Sequence, residues 1–204
     1  MQFEKGNIYH IYNQGNNRRK IFFNRENYLF FLKKIRTHIL PYGDILAYCL
    51  MPNHFHLMVL VNETSLDASI WGATQSCAPN KQSCTPNKKM ISLNHSLGII
   101  LSSYTKAINK EEKSSGSLFR KRTKAECVTC SDEKLSPSFI TLNGITKIPL
   151  YEYPQICFNY IHQNPVKANL VKKQTDWEFS SAKDYANIRN GTLVSKEIAK
   201  EYFL

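Results

Sequence analysis

Two histidines separated by one apolar residue open the run His54-Phe55-His56-Leu57-Met58-Val59-Leu60-Val61, whose composition is that of a buried strand. Side chains alternate along a strand, so His54 and His56 share a face while Phe55 points the other way. Two imidazoles surrounded by Phe, Leu, Met and Val cost on the order of several kcal/mol if nothing polar meets them. Two readings stand open. The pair is either a set of core histidines satisfied by backbone or carboxylate partners, or two neutral nitrogens fixed for a divalent metal, which then requires a third ligand.

A second group with chemical potential lies about a hundred residues on. Prolines at 154 and 165 bracket Gln155 to Asn164, which predicts a short helix ending before Pro165. Tyr160 and Asn164 are four apart and lie one above the other on it. On spacing alone the simpler reading is a buried tyrosine and an asparagine that caps the backbone. Brought beside the histidine pair, the same two residues would supply a nucleophile and an amide oxygen as third ligand.

The elements that must position these groups are legible from periodicity. Ile8 to Asn13 reads as a strand ended by the turn residues Gln14-Gly15-Asn16-Asn17, and Arg25 to Leu40 as an amphipathic helix with Tyr28, Leu29, Phe31, Leu32, Ile35 and Ile39 on its apolar face. Asp44 to Leu50 predicts a second strand, and Met51-Pro52-Asn53 the turn into an antiparallel third strand, His54 to Val61. Residues from about 63 to 90 are polar and suit an exposed insertion; Ser92 to Lys110 returns to helical spacing, with Gly116 in a turn after it; Cys127 to Tyr151 is irregular. The expectation is an α+β fold, an antiparallel sheet with helices packed on one face, in a single domain spanning residues 1–204.

Lys and Arg number 27 against 16 Asp and Glu, a formal net charge of +11, which favours a polyanionic partner, nucleic acid ahead of an anionic membrane. The cations cluster at Arg120, Lys121, Arg122 and Lys124, beside a Phe119 available to stack on a base, and at Arg18, Arg19 and Lys20. No apolar run is long enough for a membrane span and the start lacks a signal-peptide pattern, so the expectation is a cytoplasmic, nucleoid-associated protein. The six cysteines are accordingly expected as reduced thiols. Cys127 and Cys130 have the spacing of a zinc or redox half-site, and Cys77 and Cys84 would complete a zinc site only if two loops meet.

The phrase Met51-Pro52-Asn53-His54-Phe55-His56-Leu57, followed by Tyr160-Ile161-His162-Gln163-Asn164-Pro165-Val166-Lys167-Ala168, resembles the small single-tyrosine HUH transposases of bacterial insertion sequences, and among them is most similar to the REP-associated tyrosine transposases. The resemblance runs from Tyr9-His10-Ile11-Tyr12-Asn13-Gln14-Gly15 through Gly116-Ser117-Leu118-Phe119 to Asp176-Trp177-Glu178-Phe179-Ser180-Ser181. It departs from the pattern in the polar Cys-containing insertion and after Cys127. It implies a ferredoxin-like variant, the HUH endonuclease fold. It further implies Mg²⁺ or Mn²⁺ held by His54, His56 and Asn164, Tyr160 as nucleophile through a 5′-phosphotyrosine, and single-stranded DNA with a hairpin or imperfect palindrome as substrate. A homodimer is left open.

A free phenol ionises near about pH 10, so Tyr160 would need help from the metal, a water or His162; His10 would either approach the site or only pack. Rival functions are a non-catalytic nucleic-acid-binding module of the same fold, a rolling-circle initiator or relaxase, and a zinc hydrolase, the last lacking a carboxylate at any obvious spacing from the histidines.

Overall fold

The structure is a computed structural model that describes residues 2–68, 89–130, 138–141, 144–147 and 152–203. In chain order it contains β1 (Ile8–Gln14), α1 (Arg25–His38), β2 (Gly43–Met51), β3 (His54–Val61), β4 (Ser65–Asp67), β5 (Met90–Ser92), α2 (Leu93–Glu111) and β6 (Lys124–Cys127). There follow β7 (Ser138–Thr141), β8 (Gly144–Lys147), α3 (Tyr153–Lys167), α4 (Ala182–Tyr185) and α5 (Lys196–Phe203). The strands β2-β3-β1-β6 form one antiparallel sheet in that order. With α1 and α2, this is the β-α-β-β-α-β connectivity of a ferredoxin-like unit.

Alternation sorts the two faces. Tyr9, Ile11, Phe55, Leu57 and Val59 point to one side, where Phe31 and Ile35 of α1 and Leu97, Ile100 and Tyr104 of α2 complete a core. Ser92 caps α2 by accepting from the His95 amide, and Asn24 caps α1 by accepting from the Asn27 amide. The opposite face carries His10, His54, His56 and Met58 and is not left to solvent. A β-bulge at Leu46 turns both Leu46 and Ala47 toward that face, where they pack with Cys49, Met51, Cys157, Phe158 and Ile161 of α3 and with Ala199 and Phe203 of α5. Helices therefore cover both faces rather than the one expected. The reason is that the neighbours of the histidines on that face, Leu46 and Cys49 on β2 and Met58 on β3, are themselves apolar and fully buried.

Two further departures are local. Helix α3 does not stop before Pro165 but continues to Lys167, because so near the helix end the proline forgoes only one backbone bond and the Ala168 amide still donates to Asn164. Cys127 and Cys130 are joined in a disulfide, against the expectation of reduced thiols, because the turn ending β6 brings their Cα atoms to 5.6 Å; Cys49 and Cys157 are free and buried. The proposed insertion begins and ends in the ribbon β4·β5, while residues 69–88, with Cys77 and Cys84, lie outside the described residues.

The chain after α3 seals the β2 edge. The Leu50 amide donates to the Phe179 carbonyl and the Ser181 amide to the Tyr48 carbonyl, while the Trp177 indole donates to the Leu50 carbonyl at 2.9 Å. The Arg189 guanidinium locks this segment, donating to both oxygens of buried Asp184 at 2.8 and 2.6 Å and to the carbonyls of Glu178 and Ser180. Replacing Arg189 with Met strands the Asp184 carboxylate and is expected to cost about 3 kcal/mol, read as a lower denaturant midpoint; an unchanged midpoint would contradict the clamp.

Burial pushes both His10 and His162 down to about 4, at His162 against the pull of the Asp184 carboxylate. The unfolded chain takes up these protons near about pH 6.5. Unfolding therefore binds protons between pH 6.5 and 4, and the folded state loses stability as pH falls through that window, by up to about 1.4 kcal/mol per pH unit for each ring. Urea titrations between pH 7 and 4.5 should show a falling midpoint; a flat profile would contradict neutral, buried rings.

Candidate active site

The turn Met51-Pro52-Asn53 that launches β3 is held from outside. The amides of Ile21 and Phe22 donate to the Pro52 carbonyl and the Gly15 amide to the Asn53 carbonyl. Gly15 has to be glycine, since a Cβ there would lie 2.2 Å from the Arg19 carbonyl oxygen. This fixes where His54 starts. From the other side, Tyr160, Asn164 and Lys167 form one stripe of α3 at i, i+4 and i+7, next to the apolar stripe that packs on β2.

The hydrogen bonds leave an unusual pair. The Asn53 amide group donates to the Arg18 carbonyl at 3.2 Å, so its oxygen faces His54 Nδ1, 2.6 Å away, and that nitrogen carries the proton. The Asn164 amide group donates to the Tyr160 carbonyl at 2.9 Å, so its oxygen faces His54 Nε2 at 3.3 Å. A neutral His54 thus aims a lone pair at an amide oxygen. Two acceptors so placed call for a second proton on the ring or for a cation. Burial lowers the proton affinity of His54, against the contact with Asn164 that raises it, and so disfavours the proton.

His56, on the same face and 4 % exposed, is bound on one side only. Its Nδ1 lies 2.8 Å from His10 Nε2, and its Nε2 is buried without a hydrogen-bond partner. Desolvation first, then the neighbouring imidazoles of His10 and His54, hold His56 well below its ordinary value, so it is neutral. The Tyr160 ring stands edge-on to His56, centroids 5.5 Å apart, and Lys167 Nζ lies 5.1 Å over it.

His54, His56 and Tyr160 line a cleft of about 240 Å³ whose walls also carry Arg120, Arg122 and Lys124. A groove along α2 shares Arg120 and Arg122 with this cleft and adds Lys106 and Lys121. Cationic walls lead from it to the tyrosine. Arg18, Arg19 and Lys20 are exposed on the turn after β1 and stand outside both, Arg19 donating to the Ser117 carbonyl.

The structure corrects two further expectations. Phe119 is unavailable to a base, being 4 % exposed among Phe31, Phe55 and Tyr104, because it precedes the basic run on the core side of the sheet. His162, two residues from Tyr160 and hence on another side of α3, bonds Ser181 Oγ at 2.7 Å and cannot assist the phenol.

Sequence reasoning left His10 undecided and missed Tyr12, Glu126 and Lys167. The register would have found the first two, since Tyr12 pairs with His56, and Glu126 pairs with His10 and accepts from the Tyr12 hydroxyl. Glu126 and Tyr153 share an adjoining cleft with His10, His56 and Tyr160. Among the described residues no three His, Cys, Asp or Glu side chains converge as a metal group. A cation at the histidine pair would therefore need the Asn164 oxygen, and the zinc reading of the cysteines loses Cys127 and Cys130 to each other.

No family model matches the chain, and no curated protein matches it. Among solved structures it is similar to a REP-associated tyrosine transposase bound to a REP hairpin, with a TM-score of 0.54 over 96% of this chain and 87% of that one, at 16% identity. The two chains share a fold. That fold is α+β, a four-stranded antiparallel sheet with helices, and no helix among the described residues is long and apolar enough to cross a membrane.

Two imidazole nitrogens and one amide oxygen, His54 Nε2, His56 Nε2 and Asn164 Oδ1, would suit a divalent cation that accepts mixed nitrogen and oxygen donors, such as Mn²⁺. Calorimetric titration with Mn²⁺ should show one site that weakens more than about 10-fold in His54→Ala and in Asn164→Ala, and by less than twofold in Lys121→Ala. Equal affinity in all four proteins would contradict the assignment.

Proposed function

We propose that this protein is a transposase-type DNA strand transferase, which cleaves single-stranded DNA beside a hairpin through a covalent bond to Tyr160. The observation that carries the reading is the His54 Nε2 lone pair facing the Asn164 oxygen, with Tyr160 one helical turn before that asparagine on the same stripe. The fold shared with a hairpin-bound transposase supports the same substrate class.

A phosphodiester entering the cleft meets Arg120, Arg122 and Lys124, which neutralise its charge and hold it beside Tyr160. The Tyr160 oxygen attacks phosphorus in line, a phosphorus–oxygen bond to Tyr160 forms, and the bond to the 3′ oxygen of the preceding nucleotide breaks. The products are a 5′-phosphotyrosine and a free 3′-hydroxyl, the phenol proton having passed to solvent and the leaving oxygen having taken one up. When bound, Mg²⁺ or Mn²⁺ supplies charge neutralisation and orientation at the nonbridging oxygens. His54, His56 and Asn164 would hold it. Lys167 Nζ stands over the face of the Tyr160 ring, a further cation beside the nucleophile. The reverse attack by a 3′-hydroxyl on the phosphotyrosine rejoins DNA without an external energy source.

Labelled single-stranded DNA from the flanks of the gene, incubated with the protein and Mn²⁺ and run under denaturing conditions, should give a covalent adduct that disappears in Tyr160→Phe and with chelator. DNA binding without adduct under any metal would favour the non-catalytic binding module. In the same assay Arg120→Ala and Arg122→Ala should each weaken binding irrespective of sequence and reduce the salt slope by about one.

A further inference from the structure

His10 was the residue the sequence left between packing and function. It is 5 % exposed, on β1, and its Nε2 lies 2.8 Å from His56 Nδ1. The rings are near-parallel, centroids 5.0 Å apart, and His10 also stacks on Tyr12 at 4.7 Å, so two ring contacts hold its orientation. Two neutral imidazoles joined by one hydrogen bond have two arrangements. Either His10 donates and His56 Nδ1 accepts, or His56 Nδ1 donates and His10 accepts.

The arrangements differ at the far nitrogen of His56. If His10 donates, His56 Nε2 must carry a proton, and a buried N–H without an acceptor results, which native structures rarely tolerate. If His56 donates, Nε2 presents a lone pair, the lesser penalty and the form that binds a cation. His54 is held in the same form by Asn53, whose oxygen takes the proton of Nδ1. The strand thus presents two histidines whose Nδ1 atoms are each met by an acceptor, one from the turn and one from the neighbouring strand.

We propose that His10 is a positioning residue that accepts the Nδ1 proton of His56 and so fixes the His56 lone pair on Nε2, toward the site shared with His54 and Asn164. The inference rests on the metal reading above for its consequence, but not for the arrangement itself. His10 is not a ligand, since its Nε2 is taken up by His56. Its remaining proton sits on Nδ1, on a ring that lines the adjoining cleft with Glu126 and Tyr153.

The test is made on the full chain in two steps. Long-range ¹H–¹⁵N correlation spectra of the metal-free wild-type protein report the tautomer of each histidine directly. His56 is expected with the proton on Nδ1; a proton on Nε2 overturns the proposal. Mn²⁺ titrations then compare wild type with His10→Phe, which keeps a flat ring but cannot accept, and His10→Gln, whose side-chain oxygen can. The expected result is a 10- to 100-fold weaker Mn²⁺ site in His10→Phe and recovery to within about threefold in His10→Gln, with both variants melting cooperatively. A cooperatively folded His10→Phe that binds Mn²⁺ as tightly as wild type overturns the proposal. A wild type with His56 protonated on Nδ1 that binds no Mn²⁺ upholds the arrangement and overturns the metal reading instead.

Discussion

A strand paired on both edges and buried on both faces has little water with which to satisfy a polar side chain, and β3 begins with two of them on one face. Everything around that face answers this constraint. Asn53 from the turn meets His54 Nδ1, His10 from β1 meets His56 Nδ1, and Asn164 from α3 meets His54 Nε2. What is left after these contacts is one buried imidazole nitrogen without a partner and one lone pair directed at an amide oxygen. Both are the wrong arrangement for a sealed core and the right one for a cation.

The ferredoxin-like unit alone would leave this face exposed, since α1 and α2 both lie on the other side. The β-bulge at Leu46 and the apolar Cys49, Met51 and Met58 give α3 and α5 a surface to bury. Packing on that surface sets the rotation of α3, and the rotation brings Tyr160 and Asn164 to the histidines. The residues after α3 hold it there through the β2 edge, with the Arg189–Asp184 pair as their lock. The geometry of the candidate site is in this way a by-product of covering the second face of the sheet.

The elements that carry the site were legible because their periodicity is strong: the strand at His54–Val61 has the bounds its sequence predicts, and α1 and α2 fall within two residues of theirs. The placement of α3 was not, because spacing says that Tyr160 and Asn164 share a stripe but not what the stripe faces. The same limit hid Glu126 and Tyr12, which meet only through strand register, and made Phe119 look available when the core claims it. Pro165 misled for a local reason, since a proline near a helix end costs a single bond and leaves the helix free to run on. The disulfide between Cys127 and Cys130 was hidden by an argument from cellular compartment, which says nothing of how close a turn brings two sulfurs.

The central claim is that the His54–Asn164 confrontation exists to hold a cation beside Tyr160. Its most direct test is a crystal of the wild-type protein soaked in Mn²⁺ and measured at the manganese absorption edge. The account predicts one strong anomalous peak bonded to His54 Nε2, His56 Nε2 and the Asn164 oxygen. A peak elsewhere, or a His54–Asn164 pair unchanged and without metal at saturating Mn²⁺, would contradict it.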